Sequence, residues 1–200
     1  NITNINLKQK VGWLHSMDIK EFIKISEGRH PDKGKDVEGD GILTYGYGHK
    51  NYRNIDFSNY TESQYDSLLN VDIEDASNRA RQQFTNMFTS NDKGKNYSTN
   101  YSLYDNLPED AKNILTDISF NVGNIREFKE LGKALIKGDW DKIDKDSLYV
   151  RPQVGSRNTR LRESYIAPNL SATDNNAFDA MLDSTSSTPA LDAIKLELTK

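Results

Sequence analysis

The sequence contains no cysteine, which excludes disulfide bonds, thiolate zinc sites and cysteine nucleophiles together. No apolar run approaches the roughly 20 residues that a membrane-spanning helix needs, and the opening NITNINLKQK has no apolar region of the kind a signal peptide carries. Positive charge is not in excess, since 26 basic residues face 30 acidic ones, which argues against nonspecific nucleic-acid binding. What remains is a globular chain of 200 residues, long enough to bury a core.

The amino-terminal part of the chain predicts one helix followed by a small sheet. Asp18 opens the helix, apolar residues recur behind it at helical spacing, and Gly28 ends it. Residues 29–48 are rich in Gly and Asp and contain ILTYGYG, which predicts a β-hairpin or small sheet. The segment 1–16 is expected to be a lead-in with a turn of helix at 7–14.

The rest of the chain predicts mainly helix. Thr61 and Gln64 form a capping box for a connecting helix that runs to about residue 84, and Pro108 opens a second strong helix. Between them, residues 85–106 are polar and aperiodic, which predicts a long loop or a small hairpin. Shorter helices are expected near 127–137, 139–146 and 156–166.

These elements predict a mainly α fold with a small β-sheet, in the α+β class. The expected organisation is a lead-in at 1–16, a folded domain at 17–170 and a tail at 171–200. Within the domain we expect a small β-containing lobe at about 17–60, the connecting helix at about 62–84 and a helical lobe at about 107–167.

The acidic stretch after the first helix fits a calcium-binding loop only in part. Asp36, Glu38 and Asp40 occupy its first, third and fifth positions, but the twelfth position needs a bidentate Glu and is Tyr47. The three His residues are not at metal-ligand spacing, and no Gly-x-Ser-x-Gly elbow is present. The patterns therefore favour neither a metal centre nor a serine nucleophile.

Two carboxyl groups remain as candidates for acid–base chemistry. Glu27 closes the first helix one turn after Ile23, where partial burial and the negative end of the helix dipole both favour a protonated carboxyl group. Asp36 lies in a polar turn that favours the ionised form. Cleavage of a glycosidic bond needs this contrast, because one carboxyl protonates the leaving oxygen while the other directs water. Thr44 is placed to hold that water, although spacing alone favours an ordinary helix end and turn.

The order of motifs resembles the phage-type lysozymes, or endolysins, of glycoside hydrolase family 24. Their signature is Glu, eight residues, Asp or Cys, five residues and Thr, followed by a Gly-x-Gly-His run. Here Glu27, Asp36 and Thr44 precede YGYGH, with seven residues rather than five after Asp36, which makes Asp40 its alternative. The segments LLNVDIEDA, ISFNVGN, ALIKGDWDKI and GSRNTRLRE are similar to later family segments, so the resemblance covers about residues 17–167.

The resemblance implies a two-lobed lysozyme-like fold with a long connecting helix and a muramidase activity. The bond cleaved is the β-1,4 link between N-acetylmuramic acid and N-acetylglucosamine in bacterial peptidoglycan. Glu27 is then the general acid, and Asp36 (or Asp40) and Thr44 position water, with no cofactor. A lytic transglycosylase on the same fold, which needs only Glu27, and a non-catalytic glycan-binding module are the alternatives.

The resemblance also implies roles for residues outside the catalytic motif. Asn121 is expected to face the substrate cleft, and Arg157 or Arg160 to lie near the catalytic Glu as substrate-binding residues. His49 is expected to form a structural pair with Asp72. The sequence supports this pair independently, because Asp72 lies on an apolar helix face and needs a partner there.

The expected partner is bacterial peptidoglycan, and neither nucleic acid nor a membrane is expected. Further domains of a longer parent chain and an immunity protein stay open, because the chain fits a free endolysin, a tail-associated lysin or a toxic effector domain. It is expected to act on the bacterial cell wall, in the periplasm or from outside, after phage, holin or secretory delivery. Because the net charge is −4, wall binding is expected to depend on groove contacts and an arginine cluster: Arg151, Arg157, Arg160 and Arg162.

Overall fold

The computed structural model of the protein describes residues 17–36, 39, 41–53, 55–89, 102–152 and 154–170. Within these ranges the chain is mainly helical with one small antiparallel sheet, which confirms the predicted α+β class. The predicted lead-in at 1–16, the tail at 171–200 and Asp40 lie outside the described residues. Of the helices described, none is long and apolar enough to cross a membrane.

Helix α1, Ile19–Glu27, has both of its predicted ends. The Asp18 carboxylate accepts hydrogen bonds from two backbone N–H groups of the first turn, at 3.0 and 3.2 Å. Gly28 leaves the helix at a φ of 67°, a conformation that favours glycine. Because Phe22 and its neighbour on the apolar face are fully buried, α1 is docked firmly on the core and its last residue is held in place.

Three short strands follow α1: β1 at His30–Asp36, β2 at Leu43–Gly46 and β3 at His49–Lys50. Strand β2 is central and pairs antiparallel with both neighbours. The register of β1 is irregular before its last two residues, and Gly34 adopts a φ of 70° there. A Cβ on Gly34 would come within 2.6 Å of the Tyr45 ring, so both the backbone conformation and the lack of space require glycine.

Helix α2, Glu62–Thr89, has 28 residues and occupies the position of the predicted connecting helix. It has the predicted capping box, since the Thr61 N–H donates to Gln64 Oε1 at 2.8 Å and the Gln64 N–H donates to Thr61 Oγ1 at 3.4 Å. It extends beyond the predicted end near residue 84. Met87 and Phe88 pack against the main core, and this packing continues the helix.

The prediction of one long loop over 85–106 is wrong at both ends. Residues 85–89 belong to α2, and a short helix, α3, occupies Ser102–Asp105. Tyr104 and Leu107 are buried at 4% and 7% exposure, which anchors this segment on the core. The helical periodicity was hidden because each piece adds only one adjacent pair of apolar residues, Met87–Phe88 and Leu103–Tyr104, which is too short to show a repeat.

Helix α4, Glu109–Val122, runs through the main core and is buried on most sides from residue 113 to 119. Val122, where the helix ends, is 47% exposed. Gln83 of α2 braces that end: its Nε2 donates to the Gly123 carbonyl at 3.1 Å, and the Ile125 N–H donates to its Oε1 at 2.8 Å. Helices α2 and α4 are thereby fixed side by side.

The remaining helices follow α4 in short succession and lie close to their predicted bounds. They are a 3₁₀ turn at Arg126–Phe128, α5 at Lys129–Lys137, α6 at Trp140–Lys145, and α7 at Gly155–Leu161 with a π-helical turn at Arg162–Ile166. All of them contribute side chains to one main hydrophobic core together with α1, α2 and α4. A second, smaller cluster is built from Tyr45, Phe57 and Tyr65, and α2 contributes to both.

Candidate active site

The carboxyl group of Glu27 is held at the end of α1 by an arginine from far along the chain. Arg157, on α7, donates from Nη1 to Glu27 Oε1 in a direct ion pair. The side chain of Glu27 keeps 20% of its exposure and that of Arg157 only 5%. In the part of the chain that the structure describes, no hydrogen bond or ion pair engages Oε2 of Glu27.

Gly48, in the turn between β2 and β3, brings the sheet against this carboxyl group. Its φ is 101°, and a Cβ there would lie 3.6 Å from Glu27 Cδ and 3.5 Å from a ring carbon of Phe120. Phe120 belongs to the last turn of α4. The β2–β3 turn thus lies against both Glu27, at the end of α1, and Phe120 of α4.

A cleft of about 590 Å³ begins at Gly48 and Phe120 and runs along one side of α2 and the segment after β3. Its apolar lining includes Phe57, Leu68 and Val71. Besides two tyrosines, its titratable lining consists of His49, Lys50, Arg53, Asp72, Asp75 and Arg79. A concave surface with apolar walls and a few polar groups is typical of a site for a small or extended ligand.

His49 and Asp72 lie on the wall of this cleft and contact each other. His49 Nδ1 is 2.9 Å from Asp72 Oδ2 and 3.0 Å from Oδ1, and each side chain keeps about a quarter of its exposure. The imidazole also meets the ring of Phe57 edge-on at 5.4 Å. The pair connects β3 to α2 in the way that the resemblance implies.

The residues predicted to position water lie in or near the sheet. Thr44 is on the central strand and is 5% exposed. Lys35 is the residue directly opposite it on β1, and Asp36 comes next along that strand. For Asp36 only the position of the backbone is described, and Asp40 falls outside the described residues. Among the residues described, no hydrogen bond joins Thr44 to Glu27, so these two predicted catalytic residues are not bonded to each other.

The sequence analysis missed the residue at the base of the site, Asp117. Its side chain is fully buried in α4, and its Oδ1 accepts from Arg157 Nε at 2.8 Å and from Nη2 at 2.5 Å. Its Oδ2 accepts from Arg151 Nη2 at 2.8 Å. We call Glu27, Arg157, Asp117 and Arg151 the buried charge chain. A signal for it was available, because Asp117 lies three residues after Ile114 on an apolar stripe and a buried carboxylate needs partners.

The two arginines of the buried charge chain respond differently to their surroundings. Burial lowers the pKa of Arg157, but the charge and hydrogen bonds of Asp117, followed by those of Glu27, raise it above its ordinary value. Burial lowers the pKa of Arg151 below its ordinary value, and the charge of Asp117 opposes that shift only in part. Both guanidinium groups keep their charge at neutral pH, since the ordinary pKa of arginine is far above it.

The structure corrects the expected roles of the arginine residues. Arg157 is 4% exposed and donates to two carboxylates, so burial prevents it from serving as a surface contact for substrate. Arg151 is likewise buried at 3% exposure. Arg160 donates from Nη1 to Ser26 Oγ at 3.1 Å, and Arg162 is paired with Asp144. The idea that this cluster binds an anionic wall is therefore wrong for its two buried members.

Asn121 is exposed in the last turn of α4, next to Phe120, but it is not among the residues that line the cleft, so its expected contact with substrate stays a prediction. Within the described ranges, no group of three or more His, Asp or Glu side chains is placed to hold a metal ion.

Comparison with known proteins adds no relative to this geometry. No protein-family model matches the sequence, and neither does any curated protein or solved structure.

Proposed function

We propose that the protein is a muramidase that hydrolyses the β-1,4 bond between N-acetylmuramic acid and N-acetylglucosamine in bacterial peptidoglycan. The observation that carries this proposal is the Glu27 carboxyl, which is bonded through Oε1 to Arg157 and lies against Gly48, a residue that lines the cleft although Glu27 itself does not. A general acid for glycoside cleavage needs a second oxygen that carries a proton to the leaving group. Oε2 of Glu27 meets this requirement, because Arg157 engages Oε1.

The arrangement of the two hydrophobic clusters supports a two-lobed lysozyme-like fold. The smaller cluster around Phe57 and the main core are both attached to α2, which then serves as the connecting helix. The cleft runs along α2 between the sheet side and Phe120 of α4. A glycan chain lying in this cleft would pass Gly48, where the lack of a side chain allows close approach to Glu27.

In the proposed reaction, Glu27 gives its proton to the glycosidic oxygen as the bond to the anomeric carbon breaks. Water attacks that carbon from the opposite face and loses its proton to Asp36 or Asp40, with Thr44 as the expected second contact of the water, so the configuration inverts. Arg157 then faces an ionised Glu27. Its charge is already directed at the carboxyl group on which negative charge develops, which favours the proton transfer.

The variant Glu27→Gln tests the general acid. We expect clearing of a peptidoglycan suspension to fall at least about 100-fold, as for the loss of a general acid, while the melting temperature stays the same or rises. Stability is preserved because the Gln Oε1 still accepts from Arg157. Glu21→Gln, an exposed carboxyl on the same helix, is the matched control and should clear normally. Retained lysis by Glu27→Gln removes the proposal.

Identification of the released sugar ends separates the proposal from its alternatives. Hydrolysis leaves reducing N-acetylmuramic acid ends and adds one water to each cleaved bond, whereas a transglycosylase leaves anhydro ends of unchanged total mass. A glycan-binding module would retain saccharide without releasing products. Asp36→Asn compared with Asp40→Asn identifies the carboxylate that directs water, since only its loss should stop hydrolysis.

A further inference from the structure

We infer that Asp117 is a positioning residue of the proposed active site, which fixes the Arg157 guanidinium so that a single N–H group is directed at Glu27. This inference rests on the proposed function for its catalytic consequence. Its structural part, the control of Glu27 through Arg157, is measured independently of activity.

The hydrogen bonds of Arg157 define the orientation of its side chain. A guanidinium is planar and presents its donors in a rigid fork. Asp117 Oδ1 accepts from both Nε and Nη2, at 2.8 and 2.5 Å, which fixes the plane and leaves Nη1 pointing to Glu27 Oε1. The Phe22 ring lies 6.0 Å from the Cζ of Arg157. Because the side chain is 5% exposed, rotation would break buried bonds that no water replaces.

Asp117 also sets the charge that Glu27 experiences. The buried charge chain has a net charge of zero when Glu27 is ionised, because its two carboxylates offset its two guanidinium groups. When Glu27 is protonated, the net charge of the chain is one positive charge. Without the charge of Asp117, one more positive charge would face Glu27 in both forms. An uncompensated cation favours the ionised carboxylate, and the ionised carboxylate is not a general acid.

The other groups around Asp117 do not replace its charge. Arg157 approaches from α7 and Arg151 from the segment before α7, and both are cationic. Tyr165, on the π-helical turn, stays neutral because burial raises the pKa of its hydroxyl group far above its ordinary value. Asp117 is therefore the group that neutralises the two arginines on the side away from Glu27.

The variant Asp117→Asn tests both parts of the inference. We expect the alkaline limb of the kcat/KM profile to move to lower pH by about one unit, with a lower kcat at neutral pH and an unchanged KM, since Asp117 does not line the cleft. Asp105→Asn is the matched control. This control variant also removes a bidentate pair, in which Arg81 donates to the Asp105 carboxylate at 2.8 and 2.6 Å, but that pair lies on the exposed surface. Asp105→Asn should therefore keep the wild-type profile. A wild-type profile in folded Asp117→Asn overturns the inference.

A second measurement follows the side-chain carboxyl carbon of Glu27 by NMR through a pH titration. The midpoint should move to lower pH in Asp117→Asn. In Arg157→Lys it should move to higher pH, because a single ammonium group stays with the fully buried Asp117 and releases Glu27. This variant also serves if Asp117→Asn does not fold. An unchanged midpoint in Arg157→Lys contradicts the inference, whereas shifted midpoints in a wild-type protein without muramidase activity contradict only the proposed function.

Discussion

Two ionic clusters hold the elements around Glu27, one buried and one on the surface. In the buried charge chain, Asp117 is fully buried and bonds two arginines at 2.5–2.8 Å. The surface cluster joins α1 and the sheet to α2 through two acidic residues. Asp66 meets Lys20 at 3.3 Å and Lys24 at 2.5 Å, and Glu62 accepts from Arg29 and Tyr47 at 2.8 and 2.5 Å.

The two clusters have similar contact distances but different surroundings. The side chains of Asp66 and Glu62 are 33% and 53% exposed, so water solvates each charge when its partner is lost. Asp117 has no exposure, and neither of its arginine partners exceeds 5%. The contact distance therefore does not indicate how much stability is lost when one partner is removed. Burial does indicate it, because an unpaired charge is costly only where water cannot reach it.

The variant Asp117→Ala should produce the largest change in stability. We expect the free energy of unfolding to fall by about 3–5 kcal/mol, because two buried guanidinium groups lose their common partner. Urea denaturation monitored by circular dichroism measures this. Asp105→Ala, which removes an exposed Arg–Asp pair, should have a much smaller effect. Equal effects of the two variants would show that burial does not set the difference.

The variant Asp66→Asn should produce a much smaller change. We expect a loss of less than about 1 kcal/mol at low salt, because the pair is solvated and its side chains are mobile when unpaired. The loss should disappear in high salt, which screens surface charges. The denaturation midpoint in low and in high salt checks this. A loss of stability that does not depend on salt would show that the Asp66 pairs behave like buried ion pairs.

The smallest expected effect is the pH dependence of the surface cluster. The hydrogen bond from Tyr47, and then that from Arg29, lowers the pKa of Glu62 below its ordinary 4.5, and the bond from Lys24 lowers the pKa of Asp66 below 3.8. Each group therefore contributes stability above its ordinary pKa and loses it as pH falls through the lowered value in the folded state.

The stability difference between the wild type and Glu62→Gln should consequently shrink toward zero as pH falls from about 6 to about 3. Denaturation curves at several pH values measure it. A stability difference that grows on acidification would contradict the prediction that Glu62 loses its stabilising contribution as pH falls.

Local signals in the sequence were enough to predict much of the fold. Asp18 and Gly28 mark the ends of α1, and the Thr61 capping box marks the start of α2, because a helix end is decided by the few residues next to it. The extension of α2 to residue 89 was not predicted, since Met87 and Phe88 become core residues only through contacts with later helices.

The candidate site was predictable in part for the same reason. Glu27 was selected from its place at the end of a helix and from a family resemblance. The partner of its carboxyl lies 130 residues away, and Asp117 lies 40 residues from Arg157. No local pattern encodes such pairings. A buried acidic residue on an apolar stripe, together with a cluster of arginines, indicates that partners exist without indicating which arginine meets which carboxylate.

The brace made by Gln83 has a consequence for which residue the position accepts. The carboxamide offers one donor and one acceptor to the exposed peptide groups after α4, much as a neighbouring peptide unit would. Glutamate has nearly the same shape, but its second oxygen would face the Gly123 carbonyl oxygen, two acceptors with no hydrogen between them. A change from nitrogen to oxygen at a single atom would thus push apart two helices that the rest of the core holds together.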